Sequence, residues 1–224
     1  MTQEKDNKIT HPHLIICEGL DAKKYLIFFL QPLIKEDSRY DVFQVMDAGG
    51  NEDFPQFIKA LPNLPQFSMV RSVTVIRDSE KNSLGASQSV QTLLKNNGFA
   101  IPGKPCEVAY PKGAEYGVKV GYALFPKFNL DNANGTLEDL CLSTLNPAEG
   151  KEGKLLEVAN MAVTQVGELI RPHKNRLHTY LSLTDKFVGL KVGESATANA
   201  FDFSANELEP LKTLLSKMLE NENA

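Results

Sequence analysis

The sequence contains no tryptophan, only three cysteines and no apolar run long enough to cross a bilayer. A membrane-spanning helix needs roughly 20 apolar residues, whereas the longest apolar runs here are short, such as residues 25–30. The first ten residues are polar and lack the apolar core of a signal peptide. Cys17, Cys106 and Cys141 form no CxxC pair, which argues against a disulfide framework and a structural zinc site. We therefore expect a cytoplasmic protein without a membrane segment.

Positive charge is not in excess either. The 24 lysines and arginines are outnumbered by 28 aspartates and glutamates, which gives a net charge of −4. A dedicated non-specific nucleic-acid binder usually carries a basic surface, and scattered aromatics without tryptophan give no sign of a base-stacking platform. A nucleic-acid enzyme is not excluded, because it can confine its basic residues to one groove. Basic residues gather within residues 104–127 and again within 171–176, although ordinary solvated side chains are the alternative interpretation.

The chain length of 224 residues corresponds to one large domain or one domain with an appendage. Its first half contains three strand-turn-helix units. The predicted strands are residues 13–17, 41–46 and 72–77, and the predicted helices are residues 21 to about 31, 52–61 and 84–96. Asp21 is the expected cap of the first helix, and Pro32 is expected to end it. Consecutive units of this kind favour a mostly parallel sheet with helices on both faces.

The second half has a weaker pattern. Edge strands are predicted at residues 107–110 and 119–125, followed by a helix that begins with a threonine cap at Thr136. Further helices are predicted at residues 155–169, 175–183 and 206–219. We therefore predict an α/β core over residues 12–128 and a mainly helical extension over residues 129–224 that packs on it.

Acidic side chains follow each of the three predicted strands. Glu18 follows the first, Asp47 the second, and Asp78 and Glu80 the third. Ligands of an open parallel sheet bind beyond the carboxyl ends of the strands, and Asp78 and Glu80 would share one side if the chain stays extended there. Carboxylates this close need raised pKa values or a cation, and oxygen ligands alone point to Mg²⁺ or Mn²⁺. Solvated loop residues or helix caps are the alternative for each of them.

Three segments carry a family resemblance: IICEGLDAKKYL at residues 15–26, AGG at 48–50 and VTVIRDSEKN at 73–82. In this order they resemble the toprim domain, the fold shared by topoisomerases, bacterial primases and several nucleases. The family pattern has Glu-Gly after the first strand, a glycine turn after the second and Asp-x-Asp after the third. Here the last motif is Asp-Ser-Glu, so a carboxylate with a longer arm stands at Glu80. The resemblance implies a toprim-like Rossmannoid α/β fold and a site for Mg²⁺ or Mn²⁺.

The resemblance is closest to a group of small stand-alone toprim-like proteins without an assigned function, and it extends to toprim nucleases of the overcoming-lysogenization-defect type. It includes the segments at residues 55–57, 65–75, 135–139 and 173–176. It implies that Glu138 is a further metal ligand and that Lys174 is a catalytic cation that stabilises the transition state. For Glu138 the alternative is a first-turn helix residue that the helix dipole favours.

The remaining roles implied by the resemblance are those of a metal-dependent nuclease. Glu18 would be a general base or a metal ligand, and Asp78 and Glu80 would hold the ion that polarises the phosphate. Asp21 is either a further residue of the metal site or the cap of its helix.

DNA or RNA is the expected partner, through Lys119 and Arg176 in the two basic stretches. No tyrosine lies in a context suited to topoisomerase chemistry. A different class of function also fits the residues, namely a non-catalytic regulatory module that keeps the sheet and binds a metal-nucleotide or a protein in its acidic crevice. A separately encoded protein partner is compatible with both functions.

Overall fold

The computed structural model describes residues 8–128, 134–146 and 152–220. Its strands are β1 (His13–Cys17), β2 (Phe43–Asp47), β3 (Ser72–Asp78), β4 (Val108–Ala109) and β5 (Lys119–Phe125). They form a five-stranded sheet in the order β2-β1-β3-β5-β4. Strand β1 pairs in parallel with β2 and β3, β5 pairs in parallel with β3, and β4 is an antiparallel edge strand. The carboxyl ends of β1, β2, β3 and β5 therefore meet at one edge of the sheet.

Helices cover both faces of this sheet. They are α1 (Leu20–Glu36), α2 (Phe54–Ala60), α3 (Ser83–Asn96), α4 (Leu137–Ser143), α5 (Glu152–Val166), α6 (Pro172–Ser182), α7 (Val192–Thr197) and α8 (Glu209–Leu219). Short 3-10 helices occupy Ser38–Val42, Leu61–Asn63, Phe67–Met69 and Asn206–Leu208. One hydrophobic cluster packs helices α2 and α3 against one face of the sheet. A second cluster packs α1, together with the five helices from α4 through α8, against the other face. This arrangement confirms the predicted α/β Rossmannoid class, with a mostly parallel sheet and a helical C-terminal part.

The buried strand β1 shows why the sheet forms. Leu14, Ile15, Ile16 and Cys17 are all 0% exposed. Leu14 and Ile16 belong to the cluster under α2 and α3, whereas Ile15 and Cys17 belong to the opposite cluster. A strand that is apolar on both sides is stable only where both faces of the sheet are covered. The uninterrupted apolar run in the sequence follows from this position.

Helix α1 passes through Pro32 and ends at Glu36, so the predicted stop at the proline is wrong. Proline removes one backbone hydrogen bond from a helix. Leu33, the next residue, is only 3% exposed and belongs to the core, and its burial offsets that loss. The predicted cap is wrong too, because Gly19 stands at the N-cap and Asp21 lies within the first turn.

Strand β5 is correctly predicted in its bounds but is not an edge strand, because it lies between β3 and β4. Its first residue, Lys119, stands at the edge of the sheet opposite to the carboxyl ends and is 7% exposed. The Lys119 Nζ donates to the carbonyl oxygen of Met218 in α8 at 2.5 Å and to that of Glu220 at 2.6 Å. A cation satisfies the last carbonyls of a helix in this way. The expectation that Lys119 contacts nucleic acid is therefore corrected.

The C-terminal helix packs on the same core as the sheet. Its buried face consists of Leu211, Leu214, Leu215 and Met218, which share one hydrophobic cluster with Ile15 and Phe125. The domain boundary expected after residue 128 adjoins residues 129–133, which lie outside the described residues.

Candidate active site

Two adjoining cavities open at the carboxyl edge of the sheet. The inner cavity has a volume of about 260 Å³ and lies between the ends of β1 and β3 and the starts of α1 and α4. The outer cavity, of about 690 Å³, extends past the loops that follow β2 and β3 to the start of α6. Glu18, Asp78 and Lys174 line both cavities. This is the position at which open α/β sheets bind ligands.

Asp78 is the last residue of β3 and borders the inner cavity. Its Oδ1 accepts a hydrogen bond of 2.9 Å from the backbone N–H of Leu137, the first residue of α4. Burial, followed by the negative charges of Glu138, Glu18 and Glu80, raises the pKa of this carboxyl to about 7, although the hydrogen bond opposes the rise. Asp78 therefore titrates near neutral pH, and a cation beside it would favour its ionised form.

Glu138 lies in the first turn of α4 and is 7% exposed. Its Oε2 accepts a hydrogen bond of 2.8 Å from the hydroxyl of Thr136, which is the helix cap as predicted. Its Oε1 lies 3.2 Å from the Nζ of Lys174, in the first turn of α6. Burial is the strongest influence and favours the neutral acid, but the Thr136 hydroxyl and the Lys174 charge together lower the pKa of Glu138. The structure thus brings Glu138 and Lys174 together beside Asp78.

Glu18 follows the last residue of β1 and forms an ion pair with Arg77 of β3. The Arg77 Nε lies 3.2 Å from the Glu18 Oε2. The same guanidinium donates to the side-chain oxygen of Asn51 and lies over the ring of Phe54, 5.0 Å from its centre. Arginine and glutamate therefore neutralise each other at the rim of the inner cavity.

The turn after Glu18 depends on a glycine and an aspartate. Gly19 has a φ of +91°, a backbone conformation that favours glycine. Its N–H donates to Asp47 Oδ1 at 3.0 Å, and the N–H of Gly49 donates to the same oxygen at 2.8 Å. Asp47, the acidic residue after the second strand, therefore holds two loops of the site together.

Asp21 lines the inner cavity and also joins two helices. Its Oδ1 accepts a hydrogen bond of 3.0 Å from the backbone N–H of Gly193, in the first turn of α7. Asp21 therefore does not form the predicted cap of its own helix, but accepts a hydrogen bond from the first turn of α7.

Glu80 does not follow the expected alternation with Asp78. Its φ is +52°, so the chain turns at this residue and does not stay extended. Its backbone N–H and carbonyl pair with Gly135, at N···O distances of 2.8 and 2.7 Å. The Glu80 side chain is exposed and lines the outer cavity, whereas Asp78 reaches both cavities. The condition under which the two carboxylates would share one side is not met.

The outer cavity is lined by basic side chains as well. Lys81, Arg171 and Lys174 line it, together with His173. Arg176 lies two residues beyond Lys174, about 200° further round the helix, and is not among the residues that line either cavity. Of the two cations expected on α6, the structure places Lys174 in the site and Arg176 outside it.

The carboxylates are close enough to affect one another but are not arranged as metal ligands. Among the described residues, no three His, Cys, Asp or Glu side chains form a group that could hold an ion as they stand. The side-chain contacts explain this, because Glu18 is drawn to Arg77 and Glu138 to Lys174. A divalent ion that binds Glu18 or Glu138 would compete with the cation already paired with that carboxylate.

Sequence reasoning missed Arg77, Lys81 and Lys191, which all border the cavities. A signal existed for Arg77, which interrupts an apolar strand immediately before Asp78. Lys81 and Lys191 lie in loops whose position depends on the tertiary structure, and their sequence context carries no comparable signal.

Comparison with known proteins gives a family but no function. A family model described as "Protein of unknown function (DUF3226)" matches residues 12–220. No curated protein and no solved structure matches the chain. None of the helices in the described part of the chain is both long and apolar enough to cross a membrane.

Proposed function

The chain belongs to the DUF3226 family, and we propose from the site itself that it is a Mg²⁺- or Mn²⁺-dependent phosphoryl-transfer enzyme that cleaves nucleic acid. The observation that carries the proposal is the position of Asp78. This carboxyl is held by the Leu137 N–H at the sheet edge, beside three further carboxylates, in a cavity that adjoins a cleft lined by Lys81, Arg171 and Lys174. Carboxylates and basic side chains at one edge of the sheet suit a metal ion and the phosphates that bind it.

The donor set fits a hard divalent ion. Glu18, Asp78 and Glu138 offer oxygen atoms only, which is the chemistry that Mg²⁺ and Mn²⁺ prefer. The raised pKa of Asp78 supports the same assignment, because burial, followed by the charges of Glu138, Glu18 and Glu80, disfavours its ionised form, which a cation would stabilise. Such an ion would polarise the phosphate and stabilise the charge that develops on its oxygens.

The protein's own residues would supply the remaining functions. The Leu137 N–H orients Asp78, and Lys174 places a positive charge at the boundary between the two cavities. Lys81 and Arg171, in the outer cavity, would bind the phosphates that flank the cleaved bond. The basic side chains that gather in this cleft would allow nucleic-acid binding despite a net charge of −4. The odd cysteine count supports a cytoplasmic location. The proposal also includes a separately encoded protein partner.

A second function is favoured by one specific observation. Glu18 and Glu138, two of the proposed ligands, are already neutralised by Arg77 and Lys174. A protein that keeps these pairs closed would serve as a regulatory module, which binds a metal-nucleotide or a protein without turnover.

A cleavage assay with a matched pair of variants separates the two functions. The wild-type chain, Asp78→Asn and the control Asp185→Asn, an exposed aspartate remote from the cavities, are incubated with single- and double-stranded DNA and RNA and Mn²⁺. We expect cleavage by the wild type and the control, and a loss of at least about 100-fold in Asp78→Asn. Equal cleavage by Asp78→Asn contradicts the proposal, and metal binding without cleavage of any substrate supports the regulatory module.

A further inference from the structure

Arg77 connects three segments at the carboxyl edge of the sheet. It holds Glu18 after β1, Asn51 before α2 and the face of Phe54. The Arg77 side chain is 13% exposed and the Glu18 side chain 21% exposed, so solvent and salt screen this ion pair less than one on the open surface. The guanidinium is thus fixed in position by contacts on three sides.

Because Arg77 is paired with Glu18, it competes with a divalent ion for this carboxylate. The arginine side chain stays protonated throughout the accessible pH range, so Glu18 is neutralised as long as the pair is closed. A metal ion drawn to Glu18 and Asp78 would lie near this fixed positive charge and be repelled by it. The two cations therefore compete for one carboxylate.

We propose that Arg77 is the counter-ion of Glu18 before a metal ion binds, and that the metal ion releases the guanidinium to bind a phosphate group of the substrate. This inference rests on the proposed function and adds a residue that couples metal binding to substrate binding. Asn51, the second partner of Arg77, already lines the outer cavity, so the guanidinium needs no large movement to enter it. The planar guanidinium binds phosphate through two parallel hydrogen bonds.

The first test is the affinity of the full chain for Mn²⁺, measured by calorimetry. Arg77→Met removes the charge and keeps an apolar stem against Phe54. Arg39→Met is the matched control, because Arg39 pairs with Asp37 at 2.7 Å but is 75% exposed and remote from the cavities. We expect Arg77→Met to bind Mn²⁺ about tenfold more tightly than the wild type, and Arg39→Met to stay within about twofold. Equal or weaker binding by Arg77→Met overturns the inference.

The second test measures the coupling with inorganic phosphate as the probe. In the wild type, Mg²⁺ should increase the affinity for phosphate by more than in Arg77→Met, because only the wild type has a guanidinium to release. For each protein, the coupling is the ratio of its phosphate affinities with and without Mg²⁺. Comparing this ratio between the two proteins cancels general changes in the fold, as in a double-mutant cycle. An equal gain in both proteins overturns the inference.

A third measurement follows the wild type, needs Arg77→Lys for assignment only, and stays decisive if Arg77→Met fails to fold. The Nε–H of Arg77 is assigned in ¹⁵N spectra by its loss in Arg77→Lys, and its hydrogen exchange is followed. We expect slow exchange in the chain alone and faster exchange when Mg²⁺ is added. Protection that persists at saturating Mg²⁺ contradicts release of the side chain.

The two proposals fail in different ways. A wild type that binds Mn²⁺ but cleaves no nucleic acid contradicts the proposed function, and the affinity comparison still decides the role of Arg77. If neither the wild type nor Arg77→Met binds Mn²⁺, both proposals are wrong.

Discussion

Lys174 Nζ lies 3.2 Å from Glu138 Oε1. This ion pair joins the first turn of α6 to the first turn of α4. The pair is asymmetric, because the Glu138 side chain is 9% exposed and the Lys174 side chain 45% exposed. Glu138 also accepts a hydrogen bond from the Thr136 hydroxyl, so two local donors stabilise its charge. Removing the lysine leaves a nearly buried carboxylate with one donor fewer.

The first prediction concerns this pair. Lys174→Met should lower the free energy of unfolding by about 1–2 kcal/mol near pH 7, a value reduced from that of a fully buried pair because Lys174 is partly exposed. The loss should disappear when Glu138→Gln is added, since the amide needs no counter-ion. Urea unfolding measures both values. Lys212→Met is the control, because its ion pair with Glu36 lies on the surface and should contribute less than about 0.5 kcal/mol. Equal losses in Lys174→Met and Lys212→Met would contradict the role given to Glu138.

The second prediction follows from the pKa of Asp78, which is raised to about 7 from its usual value of 3.8. A carboxyl whose pKa is higher in the folded than in the unfolded state stabilises the native state at low pH. This contribution to the free energy of unfolding is lost as the pH rises from about 4 through about 7. Asp78→Asn removes the penalty and keeps an acceptor for the Leu137 N–H. We expect this variant to be more stable than the wild type at about pH 8, by up to about 4 kcal/mol, with the difference shrinking toward pH 4.

Denaturant unfolding at several pH values measures this difference, with Asp185→Asn as the exposed control. A variant that is less stable than the wild type at alkaline pH would show that burial does not destabilise the Asp78 carboxylate. Saturating Mg²⁺ should stabilise the wild type and not Asp78→Asn, because the ion is expected to bind the ionised carboxylate.

The sheet could be predicted because burial on both faces is visible in the sequence. The bounds of β1 agree with its apolar run, and the β-branched residues of β3 mark a strand that lies at the centre of the sheet. The interior position of β5 could not be predicted, because strand order depends on pairing between distant segments. The helix stop predicted at Pro32 was wrong because tertiary structure decides here too. The burial of Leu33 in the core outweighs the local effect of the proline.

The site was partly predictable because the carboxyl ends of parallel strands must meet. Glu18 and Asp78 lie at the same cavities for that reason. The chain turns at Glu80, whose φ is +52°, and no glycine or asparagine at this position predicts such a turn. Arg77 finds its partners in two separate segments, after β1 and at the start of α2, and such a set of contacts has no sequence signature.

The third prediction concerns His13, at the start of β1. Burial, followed by the charges of Lys119 and Arg71, lowers the pKa of His13 to about 4 from its usual value of 6.5. Its Nδ1 also lies 2.8 Å from the hydroxyl of Ser72. Because the native state resists protonation, stability is fully present above about pH 6.5 and is lost as the pH falls toward about 4.

We expect His13 to account for about 1–2 kcal/mol of that loss, a value discounted for the partial exposure of the ring. His13→Gln should therefore lose less stability than the wild type between about pH 7 and about pH 4.5 in urea unfolding. His178→Gln, at an exposed position of α6, should behave like the wild type. An identical pH dependence in His13→Gln and the wild type would show that other groups cause the loss.

The fourth prediction concerns the contact between α8 and the sheet. Gly121 lies in the middle of β5, where a Cβ atom would collide with Met218 Cε and lie 2.9 Å from Leu214 Cδ1. Both side chains are 0% exposed, so they have little room to move. Gly121→Ala should therefore lower the free energy of unfolding by about 1–3 kcal/mol. Gly117→Ala is the control, since nothing lies within 4 Å of its Cβ position. Thermal or urea unfolding compares the two variants. If Gly121→Ala leaves the free energy of unfolding unchanged, the packing of α8 on β5 is less tight than these contacts indicate.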